Sequence, residues 1–171
     1  SDPSRGLGDV YKRQANGGHK IYPKIIVDNK NQNQAIDRFS PLYKNSKNIR
    51  IIQDAMFSST NEVMGTSYRS RIDNLKYQFA GKTGTSQVKK ISERDRELDL
   101  ELSQIPYNER DHALYVAFGP YKNPRYALSI IIEHGGNGST TAAPLAKKLF
   151  KLIIDRHSLR ESKNNKKYLE I

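Results

Sequence analysis

The sequence predicts an α+β fold, an antiparallel sheet with packed helices. Three observations support this class. A segment with helical spacing precedes a strand-like segment, two further strand-like segments are joined by a Pro- and Gly-rich turn, and a second amphipathic segment follows them. This order of helix, strand, hairpin and closing helix is typical of a sheet covered by helices.

The first helix is predicted over Ile49–Val63, because its apolar residues recur at helical spacing. The residues that share its apolar face are Ile52, Ala55, Met56 and Val63. Upstream, the β-branched residues at 20–27 predict a strand, and the polar segment 29–46 predicts a surface loop.

Three strands follow this helix. Tyr77–Val88 alternates as a strand, and Ala113–Phe118 and Tyr126–Glu133 form a hairpin around the turn at 119–124. The last strand contains the apolar run 130–132, which predicts a central strand that is covered on both faces.

Two further segments complete the prediction. The charged segment 89–108 is predicted to be an exposed excursion with a short helix at 92–102. The closing helix is predicted over Ala142–His157, with Ser139 or Thr140 as its N-cap. Its apolar stripe consists of Ala146, Leu149, Phe150 and Ile153.

Composition narrows the classes of function. The 171 residues carry a net charge of +11 and no Cys, which excludes disulfides, thiolate catalysis and a Cys-based zinc site. The excess of positive charge indicates an anionic neighbour such as nucleic acid, a lipid surface or a cell-wall polymer. Nucleic acid is disfavoured because the basic residues form no single patch with interleaved aromatics. The four His show no ligand spacing, so no metal is predicted, and nothing indicates a cofactor.

Residues 1–14 are predicted to be a non-native, adapter-derived segment. The run Asp9–Gln14 translates GAT GTG TAT AAG AGA CAG, the transposase end sequence that is used to prepare sequencing libraries. A disordered native segment is the alternative interpretation. Residues 159–171 are predicted to be a charged tail.

The strand at 77–88 contains the set Lys82-Thr83-Gly84-Thr85, which suits acyl transfer. This reaction needs a nucleophile, a base, an oxyanion hole and groups that bind the substrate. Lys82 and Thr85 are the predicted catalytic residues, since the ammonium supplies fixed positive charge and the Thr85 N–H can face a developing oxyanion. Thr83, Gly84 and Thr85 are predicted to bind substrate through two hydroxyls and a flat backbone surface. A hairpin edge would also fit, whereas a P-loop is excluded because Lys76 stands where its first Gly is required.

The segments that follow this motif support the acyl-transfer interpretation more strongly than a four-residue match does alone. These segments are Arg110–Leu114, Gly119–Pro120, Asn123–Ala127, Glu133–Ser139 and Ala142–Pro144. In order and spacing they resemble the C-terminal part of the transpeptidase domain of class B penicillin-binding proteins, and most of all the members of the elongation (rod-shape) system. Ala15–Gly18 looks like the family's segment between its second and third motifs.

The resemblance implies that residues 15–158 are the C-terminal half of a penicillin-binding/β-lactamase-like transpeptidase domain. The complete protein would be a peptidoglycan D,D-transpeptidase, in which a serine attacks the D-Ala-D-Ala stem peptide and passes the acyl group to a neighbouring amine. It would bind β-lactams, work beside an elongation-system membrane glycosyltransferase, and lie on the periplasmic face of the bacterial inner membrane. The nucleophile motif Ser-x-x-Lys is not expected in this chain, which is predicted to be inactive alone.

Several similar strings are set aside. Ser86–Lys89 matches Ser-x-x-Lys but lies on a strand, where residues three apart face opposite sides. Ser59–Asn61 and Ser46–Asn48 match Ser-x-Asn by chance and are interpreted as solvated positions. Adjacent Asp111 and His112, like His134, are expected to have structural roles. A basic nucleic-acid-binding protein and a non-catalytic cell-wall-binding protein remain the alternative functions.

Overall fold

The computed structural model describes residues 45–89 and 100–169, with side chains described up to residue 159. The elements in these ranges are helix α1 (Ser46–Asn61), strands β1 (Ala80–Ser86), β2 (His112–Gly119) and β3 (Tyr126–Ile132), and helix α2 (Ala143–Leu169). Short 3-10 turns occupy Tyr68–Ser70, Leu102–Gln104 and Tyr107–Glu109. The predictions for residues 1–14 and for the strand at 20–27 lie outside the described residues, as do most of the predicted loop at 29–46 and helix at 92–102.

The described strands form one antiparallel sheet in the order β1-β2-β3, and the predicted α+β class is confirmed. Thr83 pairs with Tyr115 in the register of β1 and β2. The prediction that the last strand is central is wrong for this sheet, because β2 lies between the other two. β3 alternates between half-buried and exposed residues, and Ile131 is 64% exposed. Isoleucine suits a half-covered strand as well as a buried one, so the apolar run did not decide the position.

Helix α2 packs on one face of the sheet and closes it. Phe79, Tyr115 and Phe150 are fully buried there. The rings of Phe79 and Phe150 stack with centroids 4.9 Å apart, and Tyr115 meets Phe79 edge-on. Ala143 and Ala146 are also fully buried, and their small side chains let α2 approach the sheet closely. We call this side the α2 face.

Helix α1 packs on the opposite side, the α1 face, and covers it only in part. Met56 forms a buried cluster with Ala80, Val116 and Phe118. The predicted apolar face of this helix is wrong beyond Met56, because Ile52 is 40% exposed and Val63, which lies past the end of the helix, is 75% exposed. The other buried residue of α1 is Thr60, whose hydroxyl bonds to groups of the sheet.

The start of α2 also differs from the prediction. A π-helical turn, Gly138–Ala142, precedes the α-helix, and Asn137 caps it by accepting a hydrogen bond from the Ser139 N–H at 2.8 Å. The predicted caps Ser139 and Thr140 are therefore wrong. Leu149, predicted in the apolar stripe, is 40% exposed, whereas Ile154 is buried. The backbone helix continues past the predicted end at His157 to Leu169, into the segment predicted to be a charged tail.

Candidate active site

The predicted catalytic Lys82 lies on β1 and is exposed to solvent. Its ammonium donates hydrogen bonds to the Thr83 carbonyl oxygen at 2.9 Å and to Thr83 Oγ1 at 3.2 Å. Lys82 also lines an open cavity of about 600 Å³ on the α1 face, which we call the motif cavity. Its apolar lining comes mainly from Ile51, Ile52, Met56 and Met64. The cation therefore stands at the wall of a largely apolar, open space.

A row of hydroxyl groups connects α1 to this ammonium. Ser59 Oγ lies 3.1 Å from Thr66 Oγ1, and Thr66 Oγ1 lies 3.2 Å from Thr83 Oγ1, which accepts from Lys82. Each hydroxyl can donate and accept, so the direction of the hydrogen bonds in the row can reverse when the ammonium changes its partner. Sequence reasoning set Ser59 aside as part of a chance Ser-x-Asn match, and it missed Thr66, which belongs to no recognised motif.

The interpretation of Ser59–Asn61 as solvated positions is wrong. Thr60 is fully buried, and the Asn61 amide donates to the carbonyl oxygens of Phe57 at 3.1 Å and Phe79 at 2.9 Å. These bonds fasten the C-terminal end of α1 to the segment that enters β1. Ser46, Lys47 and Asn48, by contrast, are exposed as predicted.

A buried polar cluster supports the start of the motif strand. The Tyr115 hydroxyl lies 3.0 Å from both Thr60 Oγ1 and Ser67 Oγ, and the Gly81 N–H donates to Thr60 Oγ1 at 3.0 Å. Burial raises the pKa of Tyr115, so the phenol stays neutral and can donate. A Cβ at Gly81 would lie 2.4 Å from the Tyr115 hydroxyl, which explains the glycine directly before Lys82.

The backbone of Gly138 packs against the middle of the motif. A Cβ at Gly138 would lie 2.4 Å from the Leu114 carbonyl oxygen and 2.7 Å from the Gly84 carbonyl oxygen. The Gly-rich turn before α2 thus contacts the motif strand directly. In the sequence this turn indicated only the end of a strand, and its Gly-Gly-Asn-Gly composition was the available signal for a close backbone contact.

The remaining predicted site residues are placed as follows. Thr83 and Gly84 are half-buried, and Thr85 is exposed and pairs with Ala113 across β1 and β2. The alternation of a strand directs Lys82 and Gly84 to the α1 face and Thr83 and Thr85 to the other face. The structure brings Lys82 and Thr83 into contact, while the chemical roles of the four residues stay predictions.

The residues that were set aside have structural partners. Lys89 donates to Glu109 at 2.9 Å, and Asp111 accepts from the Val88 N–H at 3.2 Å. His112 Nδ1 accepts from the His134 N–H at 2.9 Å. These local hydrogen bonds agree with the structural roles expected for Asp111, His112 and His134.

In the two described ranges, no group of three His, Asp or Glu residues is arranged to hold a metal ion. The helices in this part of the chain include none with the length and apolar character that a bilayer crossing requires.

Comparison with curated proteins finds similar sequences among peptidoglycan D,D-transpeptidases. The chain is 37% identical over 105 residues to the peptidoglycan D,D-transpeptidase MrdA of Salmonella typhimurium strain LT2, a match that covers 61% of this chain and 16% of that protein. It is 33% identical over 110 residues to the MrdA protein of Haemophilus influenzae, covering 64% of this chain and 16% of the relative. The chain thus spans about a sixth of the length of these relatives.

Solved structures give the same result. Penicillin-binding protein 2 of Helicobacter pylori, solved in complex with MreC, aligns with a TM-score of 0.65 and 30% identity, covering 86% of this chain and 24% of that one. Penicillin-binding protein 2 of Pseudomonas aeruginosa, solved in complex with WCK 5153, aligns with a TM-score of 0.58 and 26% identity, covering 83% and 28%. These similarities confirm the resemblance to penicillin-binding protein 2 of the elongation system.

A family model matches most of the chain. The model of the penicillin binding protein transpeptidase domain matches residues 8–151. The match begins within the segment 1–14, whose adapter origin stays a prediction. Lys82-Thr83-Gly84-Thr85 and the Gly-rich turn that packs on it both lie inside the match. The chain therefore belongs to the penicillin-binding protein transpeptidase domain family.

Proposed function

We propose that this chain is part of a peptidoglycan D,D-transpeptidase that cross-links stem peptides through a serine acyl-enzyme. The observation that carries the proposal is the Lys82 ammonium, which Thr83 holds at 2.9 and 3.2 Å at the wall of the motif cavity. Membership of the transpeptidase family and the similarity to D,D-transpeptidases support the reaction class.

The substrate would lie along β1, which has a neighbour on one side only among the described strands. An extended peptide can add to such an edge through main-chain hydrogen bonds. The hydroxyls of Thr83 and Thr85 would donate to the terminal carboxylate, Gly84 would leave room for the peptide backbone, and Lys82 would stabilise negative charge. The Thr85 N–H would face the oxyanion, a type of interaction whose loss costs about 3–4 kcal/mol of transition-state stabilisation.

The reaction proceeds in two acyl transfers. In the first, the serine Oγ bonds to the carbonyl carbon of the penultimate D-Ala, the peptide C–N bond breaks, and the terminal D-Ala leaves with the serine proton on its nitrogen. In the second, the amine of a neighbouring stem peptide attacks the ester, loses a proton and displaces the serine. A β-lactam would stop after the first transfer, because its ring opens without releasing a leaving group from the site.

We place the serine nucleophile outside this chain. Ser86 is a poor candidate because it lies on β1 and Lys89, its partner in the Ser-x-x-Lys string, donates to Glu109. Reading the genomic DNA upstream of the Ala15 codon tests this placement. We expect in-frame Ser-x-x-Lys and Ser-x-Asn motifs and no codons for Asp9–Gln14, whereas a start codon just before residue 1 would overturn it.

Labelling with a fluorescent penicillin tests the role of Lys82. We expect no label on the 171-residue chain and covalent label on a longer protein that adds the upstream motifs. In the longer protein, Lys82→Ala should slow acylation by about 100- to 1000-fold, the range found when one charge-stabilising donor is removed. Lys122→Ala is the matched control, because Lys122 is exposed on the hairpin turn.

Either of two results would contradict the proposal. Label on any serine of the 171-residue chain would refute the external nucleophile. Equal acylation rates for Lys82→Ala and Lys122→Ala would remove Lys82 from the catalytic machinery.

The cellular setting is part of the same proposal. The longer protein would lie on the periplasmic face of the bacterial inner membrane, where peptidoglycan is assembled, and would act beside a glycosyltransferase of the elongation system. The Helicobacter pylori relative, solved in complex with MreC, supports an assembly with other proteins. Protease accessibility of residues 45–159 in spheroplasts, compared with intact cells, tests the orientation.

A further inference from the structure

A second cavity of about 650 Å³ lies next to the motif cavity. Four cationic side chains line it, Arg69 from the 3-10 turn after α1 and Lys147, Lys148 and Lys151 from α2. Thr66 and Ser139 also line this cavity. We call this cavity the basic groove.

No cation of the basic groove forms a direct ion pair with a carboxylate in the described ranges, although Asp155, one turn along α2, interacts electrostatically with Lys151. The ion pairs described there are Arg71–Asp73, Lys76–Asp155 and Lys89–Glu109, and none includes a cation of the groove. Lys147 and Lys151 are also four residues apart on α2, a spacing at which like charges destabilise a helix. An anion in the groove would relieve this repulsion.

The basic groove is adjacent to the candidate active site. Gly65 and Thr66 line both cavities and form the wall between them. Thr66 Oγ1 lies 3.2 Å from Thr83 Oγ1 of the motif. A ligand that extends from the motif past Thr66 therefore enters the groove.

We propose that the basic groove binds the carboxylates of the acceptor stem peptide, the one whose amine attacks the acyl-enzyme. This inference rests on the proposed transpeptidase function and adds a subsite to it. Stem peptides carry free carboxylates, and lysine ammonium and hydroxyl groups can bind them by charge-assisted hydrogen bonds. Positive charge nearby also disfavours the protonated amine, so the groove would favour the neutral form that can attack.

The groove is less suited to nucleic acid. Single-stranded nucleic acid binds along grooves where successive bases stack on aromatic rings. Tyr68 is the aromatic residue among the described residues that line the groove, and the Arg71 guanidinium lies 4.0 Å from its ring centroid. One face of this ring is thus already covered.

The test is a titration of the 171-residue chain, followed by NMR, with a synthetic stem tripeptide that contains D-glutamate and diaminopimelate. The same peptide with its carboxylates converted to carboxamides is the control ligand. The test variant is Lys148→Gln/Lys151→Gln, and Lys47→Gln/Lys122→Gln is the matched control with the same charge change. All four lysines are exposed, so neither variant removes a buried contact.

We expect the acidic peptide to shift signals around Thr66 and Ser139 and to bind more weakly at physiological salt than at low salt. Lys148→Gln/Lys151→Gln should raise its Kd by about three- to tenfold, as expected for two exposed ion pairs. The control variant should leave the Kd unchanged, and the carboxamide peptide should not shift these signals.

Three results would overturn the groove assignment. The first is equal binding of the acidic and carboxamide peptides, and the second is an equal rise in Kd for both lysine variants. The third is binding of a single-stranded oligonucleotide or of anionic vesicles at these lysines without binding of the peptide.

Penicillin labelling of the longer protein separates this proposal from the proposed function. Lys82-dependent labelling of the longer protein without peptide binding to the groove would remove the groove assignment alone. Peptide binding to the groove without labelling of the longer protein would remove the proposed catalysis alone.

Discussion

The two faces of the sheet differ in how completely the chain covers them. On the α2 face, Phe79, Tyr115 and Phe150 are fully buried and the rings contact one another. On the α1 face, Ile52 and Met64 remain exposed beside Lys82 at the motif cavity. The described residues thus cover the α2 face fully and leave the α1 face open to solvent beside Lys82.

The contacts that hold the motif strand in place are therefore distinct from the open surface on which its Lys82 ammonium is exposed. The α2 face contributes Tyr115 and the backbone of Gly138 to the support of the motif strand, and Thr60 of α1 completes the Tyr115 cluster. The α1 face presents the ammonium of the same strand to an open space. A reactive group held on a rigid element keeps its geometry while its surroundings stay free for a ligand.

Removing a large side chain from each face tests this comparison most strongly. Phe150→Ala should lower the free energy of unfolding of the 171-residue chain by about 3–5 kcal/mol, because it leaves a cavity under Phe79. Ile52→Ala on the α1 face should cost less than about 1 kcal/mol, since the side chain is already partly in water. Urea denaturation measures both, and equal losses would abolish the distinction between the faces.

A smaller effect is expected where the α2 face supports the motif. Gly138→Ala places a methyl group against the carbonyl oxygens of Leu114 and Gly84 and should cost about 1–3 kcal/mol. Ser129→Ala, an exposed position on β3, is the control and should change little. An unchanged urea midpoint for Gly138→Ala would mean that the turn does not hold the strand.

The smallest effect is expected at the exposed rim of the α2 face. The Tyr77 hydroxyl donates to Asp155 at 2.6 Å and the Lys76 ammonium donates at 3.0 Å, and these two bonds lower the pKa of Asp155. Since the folded-state pKa lies below the unfolded value, the stabilisation is present above about pH 4 and is lost as the pH falls through the folded pKa. Urea midpoints measured at falling pH should drop less in Tyr77→Phe, and parallel curves would refute the coupling.

Local patterns in the sequence predicted the elements but not their surroundings. The spacing of α1, the alternation of β1 and the turn of the hairpin are local signals, and each predicted its element. The exposure of Ile131 depends on which strands lie beside β3, and the burial of Thr60 depends on Tyr115, which is far along the chain. A pattern within one segment indicates neither which strands lie beside β3 nor which distant residue contacts Thr60.

The site shows the same limit. Lys82 and Thr83 were predicted because a four-residue motif names them directly, and their roles stay predictions. Thr66 and Gly138 were not found, because their contacts with the motif strand arise only when the loop after α1 and the turn before α2 fold onto it. Asn137 was missed as a cap because Ser139 and Thr140 offered equally good capping side chains in the sequence.

The position of Thr66 in the wall of both cavities has a thermodynamic consequence. Two ligands that press on one shared side chain cannot bind independently, and the free energy of their coupling acts in both directions. If a donor peptide at the motif tightens the binding of an acidic peptide in the basic groove, the second peptide must tighten the first by the same factor. Cooperativity between the two substrates would then pass through Gly65 and Thr66, the short segment that both cavities share.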